Sequence, residues 1–245
     1  MKRALVLGYA TAVYVMFLGT FLYLCGFVGD FGVPKTIDSP DQGTPLGLAL
    51  LINAALVALF ALQHTIMARP TFKRLWAKWV RGPAERTTYM LLTNMALILL
   101  FWLWRPMTGV VWDAQGELAR GVLWGLFGGG WLLVLIATFQ INHFDLFGLR
   151  QAWTYFRGRK LEPLVFKSPF LYRRVRHPIY LGWITAFCVA PTMTVGHLLF
   201  GLLMASSILV SIRLEERNLI QYFGNLYTDY RERVPMLLPR IVRRK

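Results

Sequence analysis

Apolar positions in this chain come in long uninterrupted blocks, with no helical stripe of polar residues through them. Runs free of Asp, Glu, Lys and Arg extend from Ala4 to Gly29, Gln42 to Ala68, Thr87 to Trp104, Gly121 to Phe144 and His177 to Ile212. A helix needs about 20 apolar residues to cross the hydrocarbon core of a bilayer. The last run, at 36 residues, is too long for one ordinary span. Pro191, Gly196 and His197 interrupt it, and proline removes a backbone donor where glycine weakens a helix. The pattern predicts two short helices there, roughly residues 179 to 189 and 197 to 212. The expected fold is all-α: a polytopic membrane helix bundle of about six spans, with the last two a short helical hairpin and a cytosolic C-terminal arm. The first of that pair is near the length at which a helix dips in and returns.

Composition strengthens the membrane reading. The chain has 245 residues, 56% hydrophobic and 16% charged, where a soluble domain carries about 25% charged residues. Lys2 and Arg3 ahead of an apolar run resemble a signal peptide. However, the run to Gly29 exceeds an h-region and no small-residue cleavage site closes it, so it reads as a retained first span. Cys25 and Cys188 each sit inside an apolar run, as small buried hydrophobes.

The net charge of +15 would suggest nucleic acid in a soluble protein. Its distribution suggests sidedness instead. With the N-terminus inside and six crossings, two basic residues precede the first span and six fall between Arg69 and Arg86. Eight more lie between Arg150 and Arg176, and eight between Arg213 and Lys245. Only Lys35, Arg105 and Arg120 then lie outside. Five crossings would put the last eight outside, against the positive-inside rule. The expected setting is a bacterial inner membrane with both termini cytosolic.

Polar residues at membrane depth are costly and therefore paired or functional. Gln63 and His64 end the second run; Gln140, Asn142, His143 and Asp145 end the fourth. Both groups fall at the cytosolic ends of their helices, where they are either interhelical hydrogen bonds or parts of one cavity. Gly128, Gly129 and Gly130 mark close helix packing, within the chain or between copies of it. No nucleophile elbow, phosphate loop or zinc-spaced Cys/His cluster is present.

The C-terminal third is densest in chemistry. Pro178 suits the first turn of a helix, and the amides there with a nearby guanidinium form an anion site. Glu215 and Glu216 follow the hairpin, as a salt-bridged helix exit or as acceptors for an ammonium or ribose hydroxyls. Gly224 caps a helix end. The stretch with Tyr227, Tyr230, Arg231 and Arg233 either lies on anionic headgroups or folds back over a site.

Arg176-His177-Pro178-x-Tyr180-x-Gly182, then Glu215-Glu216-x-x-Leu219, then Phe223-Gly224-x-x-Tyr227-x-x-Tyr230-x-x-Arg233-Val234-Pro235 together resemble the isoprenylcysteine carboxyl methyltransferase superfamily of integral membrane enzymes. The resemblance covers roughly residues 165 to 240. It departs from the common pattern before the histidine, where Lys167-Ser168-Pro169-Phe170-Leu171-Tyr172 stands. The earlier part is similar to a narrower branch, the methanethiol S-methyltransferases, through Gln63-His64-x-x-Met67-Ala68-Arg69 and Asn142-His143-Phe144-Asp145-Leu146-Phe147-Gly148-Leu149. The resemblance implies an S-adenosylmethionine pocket at Arg174, His177, Tyr180, Leu181, Gly182, Arg213, Glu215, Glu216 and Tyr227. It implies an acceptor region over residues 1–149 and a methyltransferase core over 150–245.

Methyl transfer from a sulfonium needs positioning and desolvation and no metal. A thiol acceptor must lose its proton first, so His64 and His143 are candidates near it, helped by Tyr180. Three readings follow: methylation of methanethiol to dimethyl sulfide, methylation of a prenylcysteine carboxylate or lipid, and a non-catalytic membrane protein or permease. Glu215-Glu216 coupled to the Arg176-His177-Pro178 turn serves a cofactor pocket and has no use in a permease.

Overall fold

In the computed structural model, residues 1–40, 43–80, 82–163 and 165–239 are described. The start of the second apolar run at Gln42, the basic residue Arg81 and the terminal cations Arg240, Arg243, Arg244 and Lys245 lie outside them. The long helices are α1 (Lys2–Gly29), α2 (Leu46–Met67), α4 (Glu85–Leu103), α5 (Glu117–Ile141) and α9 (Val195–Phe223). Between and after them come α3 (Pro70–Trp76), α6 (His143–Leu146), α7 (Leu149–Phe156), α8 (Pro178–Cys188) and α10 (Asn225–Arg233).

Among the described residues, α1, α2, α4 with its preceding turn, α5 and α9 are long and apolar enough to cross a membrane. Their outward positions are aliphatic and aromatic: Leu18 and Leu22 on α1, Leu51 and Leu59 on α2, and Leu132 and Phe139 on α5 are all exposed. A helix apolar all round is buried in protein or lipid, and these faces are not covered by protein. The chain is an integral membrane protein of the all-α, polytopic class. The sixth expected crossing, α8, has 11 residues. It rises about 16 Å, roughly half of the ~30 Å hydrocarbon core.

Two details go beyond the expected helices. Strands β1 (Val110–Asp113) and β2 (Thr192–Thr194) pair as a two-stranded sheet. Helix α9 does not stop at Ile212 but runs on through both glutamates to Phe223. Gly224 then ends it in a positive-φ conformation, φ 57°, which an L side chain adopts only under strain.

The chain divides into two compact units that interleave along the sequence. Unit one takes residues 1–111, 143–163 and 194–200, and unit two takes 112–142, 164–193 and 201–245.

In unit one, α4 packs on both α1 and α2, and α7 packs on α1. Its core is aromatic: Phe27 lies 5.0 Å from Phe101 and 6.0 Å from Trp104, and Trp104 lies 5.8 Å from Phe200. Asn53, wholly buried, ties α2 to the end of α4. Its Nδ2 donates to the Arg105 carbonyl at 2.7 Å and its Oδ1 accepts from the Arg105 amide at 2.9 Å. Both halves of the amide are satisfied, which is what a buried polar side chain requires.

In unit two, α5 and α8 form the main contact. A Cβ on Gly130 would fall 2.8 Å from the Ala186 amide, and one on Gly182 would fall 2.7 Å from the Gly130 carbonyl. The two helices therefore meet backbone to backbone, as small residues allow in membranes. Of the expected glycine triplet only Gly130 does this; Gly128 and Gly129 have open space around their Cβ positions.

Candidate active site

The carboxylate site of unit two begins with chain geometry. Pro178 opens α8 and His177 is its N-cap. Ahead of them, the Arg176 amide donates to the Pro235 carbonyl at 2.9 Å and the His177 amide to the Met236 carbonyl at 3.1 Å. The segment after α10 is thus paired by backbone to the turn before α8.

That pairing sets Arg176 and His177 against α9. Glu216 Oε1 accepts from Arg176 Nε at 2.7 Å, meets His177 Nε2 at 3.0 Å and accepts from the Tyr227 hydroxyl at 3.4 Å. Glu216 is 9% exposed and His177 6%, so the pair is nearly shielded from water. Arg176 Nη1 is spent on the carbonyls of Arg231, at 2.8 Å, and Val234. The carboxylate held by this arginine is the chain's own. One residue earlier on α9, Glu215 Oε2 accepts from the Tyr180 hydroxyl at 2.8 Å. The two adjacent glutamates thus reach different partners, one on the turn and one on α8.

An aromatic wall stands behind the carboxylates. Phe166 lies 5.2 Å from Tyr230, 6.1 Å from Tyr227 and 5.5 Å from Phe223. The Tyr230 hydroxyl donates to the Tyr172 carbonyl at 2.5 Å, and the Tyr172 hydroxyl to the Ala137 carbonyl at 3.2 Å. Burial pushes the Tyr230 hydroxyl up to about 12, and burial with the nearby glutamates pushes Tyr227 higher still. Both stay protonated donors at neutral pH.

Of the residues expected here, His177, Tyr180, Glu215, Glu216 and Tyr227 are brought together. Gly182 packs against α5, with Leu181 beside it and half-buried. Arg174 and Arg213 are exposed.

Unit one holds the two histidines, each on its own tyrosine. His64 lies near the end of α2, with the Tyr89 hydroxyl 2.9 Å from Nδ1 and 3.0 Å from Nε2 and Thr93 Oγ1 3.4 Å from Nδ1. Phe60 stacks on the ring at 5.5 Å. His143 opens α6, with Nε2 2.8 Å from the Tyr14 hydroxyl and its ring 4.7 Å from Phe147. Burial lowers the basicity of His143, so the ring is neutral at pH 7. Tyr89 belongs to an apolar cluster with Val13, Met67 and Met90, against which Phe17 and Phe147 pack. The two histidines therefore border one hydrophobic cluster, His64 through Tyr89 and His143 through Phe147.

Tyr14, Tyr89 and Thr93 were not anticipated as site residues, and Arg176 only as part of a motif. The signal that would have found the first three is a lone hydroxyl inside an apolar run, the criterion already applied to the histidines.

Comparison with known proteins gives the chain its relatives. It is 50% identical to methanethiol S-methyltransferase 2 of Bradyrhizobium diazoefficiens over 99% of this chain and 93% of the relative. It is 48% identical to methanethiol S-methyltransferase of Mycobacterium tuberculosis over 98% of each. It is 31% identical to Nurim of Sus scrofa over 73% of this chain and 70% of that protein. No family model matches, and no solved structure matches. With identity near one half over almost the whole length, the chain belongs to the family of the methanethiol S-methyltransferases.

Proposed function

We propose that this protein methylates methanethiol to dimethyl sulfide with S-adenosylmethionine as donor, from a membrane-embedded site open to the cytosol. The observation that carries the reading is its near-full-length identity to methanethiol S-methyltransferases. Membership in that family removes the permease reading. The setting proposed is a bacterial inner membrane with cytosolic termini, supported by the concentration of basic residues in alternate loops. Residues 150–245 supply the donor core and residues 1–149 the acceptor side.

The carboxylate cluster fits the donor. All three bonds to Glu216 fall on Oε1, so Oε2 remains an acceptor for an ammonium or a ribose hydroxyl. Bound there, S-adenosylmethionine supplies an electrophilic methyl group on a sulfonium and departs as S-adenosylhomocysteine. Arg176, His177 and Tyr227 fix the rotamer of Glu216, and Tyr180 fixes Glu215. Arg174, Leu181, Gly182 and Arg213 complete the proposed donor set.

On the acceptor side, the reacting sulfur must be a thiolate in a dry pocket. His64 and His143, neighbours of one apolar cluster, are the proposed residues that bring the thiol to that state, with Tyr180 assisting from the donor side. Purified protein incubated with S-adenosylmethionine and methanethiol should release dimethyl sulfide into the headspace. A protein that forms no thioether while methylating a prenylcysteine analogue has the other acceptor instead. One that does not bind labelled S-adenosylmethionine although folded overturns the methyl-donor assignment.

A further inference from the structure

The basic residues concentrated between α2 and α4 are a signal of sidedness, but sidedness does not decide what each of them touches. Arg86, in the first turn of α4, is half-buried, and its guanidinium is committed in two directions.

One direction leads to α6. Arg86 Nε donates to the Leu146 carbonyl at 2.7 Å. Leu146 closes the short helix that His143 opens, and a last-turn carbonyl has no partner inside its own helix. Just beyond it, Gly148 takes φ 86° and brings the chain onto the same stretch of α4. A Cβ there would fall 2.7 Å from Thr87 Oγ1 and 2.9 Å from the Thr87 amide nitrogen. The turn that carries His143 is thus seated on α4 by a charge-assisted bond and by a close approach that glycine allows.

The other direction leads to α2. The guanidinium carbon lies 4.9 Å over the Tyr89 ring, one helical turn further along α4 and within reach of a cation–π contact. Tyr89 is 7% exposed, and its hydroxyl lies 2.9 Å and 3.0 Å from the two ring nitrogens of His64. It also reaches the His64 carbonyl at 3.3 Å. The place of this imidazole therefore depends on where Tyr89 stands. A guanidinium serves both directions at once, because its N–H edge donates in plane while its face lies on an aromatic ring. An ammonium is a point charge on a flexible stem and serves one at a time.

We infer that Arg86 is a positioning residue for the methyl transfer: one side chain braces His64 through Tyr89 and His143 through the end of α6. Both imidazoles are then set by one framework, the first turns of α4. The inference rests on the reading that these histidines prepare the thiol, and it names the residue that holds them in register. Arg86 acts through geometry, and a misplacement of about 1 Å costs about a hundredfold in rate.

The test uses full-length protein in bilayer nanodiscs and reads the imidazoles directly. Diethylpyrocarbonate modifies accessible histidines, and peptide mass spectrometry resolves the four, His64, His143, His177 and His197. Arg86→Gln should raise the modification rates of His64 and His143 severalfold, with His177 and His197, which neither path reaches, as unchanged references. Tyr89→Phe keeps the ring beneath the guanidinium and should release His64 alone. Gly148→Ala forces the turn off Thr87 and should release His143 alone. In headspace assays Arg86→Gln should lower kcat about tenfold or more, with S-adenosylmethionine binding unchanged. It should cost less in a Tyr89→Phe background, where one of its two routes is already cut. Arg86→Lys keeps the charge and should restore neither property fully; it decides the matter if Arg86→Gln does not fold. Wild-type modification rates at both histidines in Arg86→Lys, or a kcat fully restored by lysine, overturn the brace and leave Arg86 a loop charge. Release of a single histidine by Arg86→Gln overturns the shared role. Histidines that respond as expected in a protein that forms no dimethyl sulfide overturn the thiol reading and leave the brace standing.

Discussion

Arg176 Nε and Glu216 Oε1 lie 2.7 Å apart with both side chains about one-tenth exposed, joining the turn before α8 to the far end of α9. The two residues are 40 positions apart, and every other bond of the Arg176 guanidinium goes to a backbone carbonyl. Removing the carboxylate therefore strands a guanidinium inside a shell of fixed acceptors. Breaking one side of a buried ion pair costs about 3–5 kcal/mol, and Glu216→Gln keeps shape and one acceptor while removing charge. The expected result is a folded protein with a lower thermal midpoint and at least tenfold weaker S-adenosylmethionine binding. Unchanged donor affinity would show that Glu216 is purely structural.

A second expectation concerns the glycines of the α5–α8 contact. Gly182→Ala places a methyl group 2.7 Å from the Gly130 carbonyl and 2.9 Å from the Val134 amide. Neither is the end of a flexible side chain, so the helices must part, at about 1–3 kcal/mol. Gly128→Ala, with open space around its Cβ, should be neutral. Thermal midpoints of the two variants in the same lipid, if equal, would refute the backbone contact.

His143 gives a pH signature. Burial lowers its pKa from 6.5, so the folded protein holds the neutral ring where the unfolded chain begins to protonate. This contribution is present above pH 6.5 and is lost as pH falls through the lower folded value. Tyr14→Phe removes the hydroxyl 2.8 Å from Nε2. If the tyrosine donates to the neutral ring, the acid limb of turnover should move to higher pH, with donor affinity unchanged. A limb that stays in place would separate His143 from the chemistry.

Asp38 has the opposite sign. In the segment between α1 and α2, burial raises its carboxyl to about 6, against a bond from the Thr194 hydroxyl that lowers it. The folded state prefers the protonated acid. Its contribution is therefore full below about pH 4 and lost as pH rises through 6. Asp38→Asn should raise the thermal midpoint at pH 7 and flatten its slope between pH 4 and 7. A slope unchanged by the substitution would assign it to another group.

How far the sequence could be read follows from the range of each interaction. Helix borders at Pro178 and Gly224 were visible because they are set by one residue's own dihedrals. The short α8 was anticipated from Pro191 and Gly196 alone. The extent of α9 was not, because Arg213, Glu215 and Glu216 suggested an exit from the membrane and say nothing about whether the helix continues. Tyr14 with His143 spans 129 positions, and no local pattern encodes such a pair. Likewise Gly130 and its two neighbours are identical in sequence; only the position of α8 decides which of them is pressed against a backbone. The β1–β2 pairing was missed because strands of four and three residues leave no readable alternation.

The pairing of Arg176 and His177 with the carbonyls of Pro235 and Met236 is made by main chain on both sides. An alanine scan of residues 234–236 is therefore blind to it: each variant keeps the same carbonyls and would report the clasp as dispensable, unlike changes at Tyr227 and Tyr230, whose side chains bond Glu216 and Tyr172. Only a change in chain length tests this clasp, and a deletion from Val234 onward should release the turn that carries Arg176 and His177. The importance of these last residues is then invisible side chain by side chain and complete as a segment.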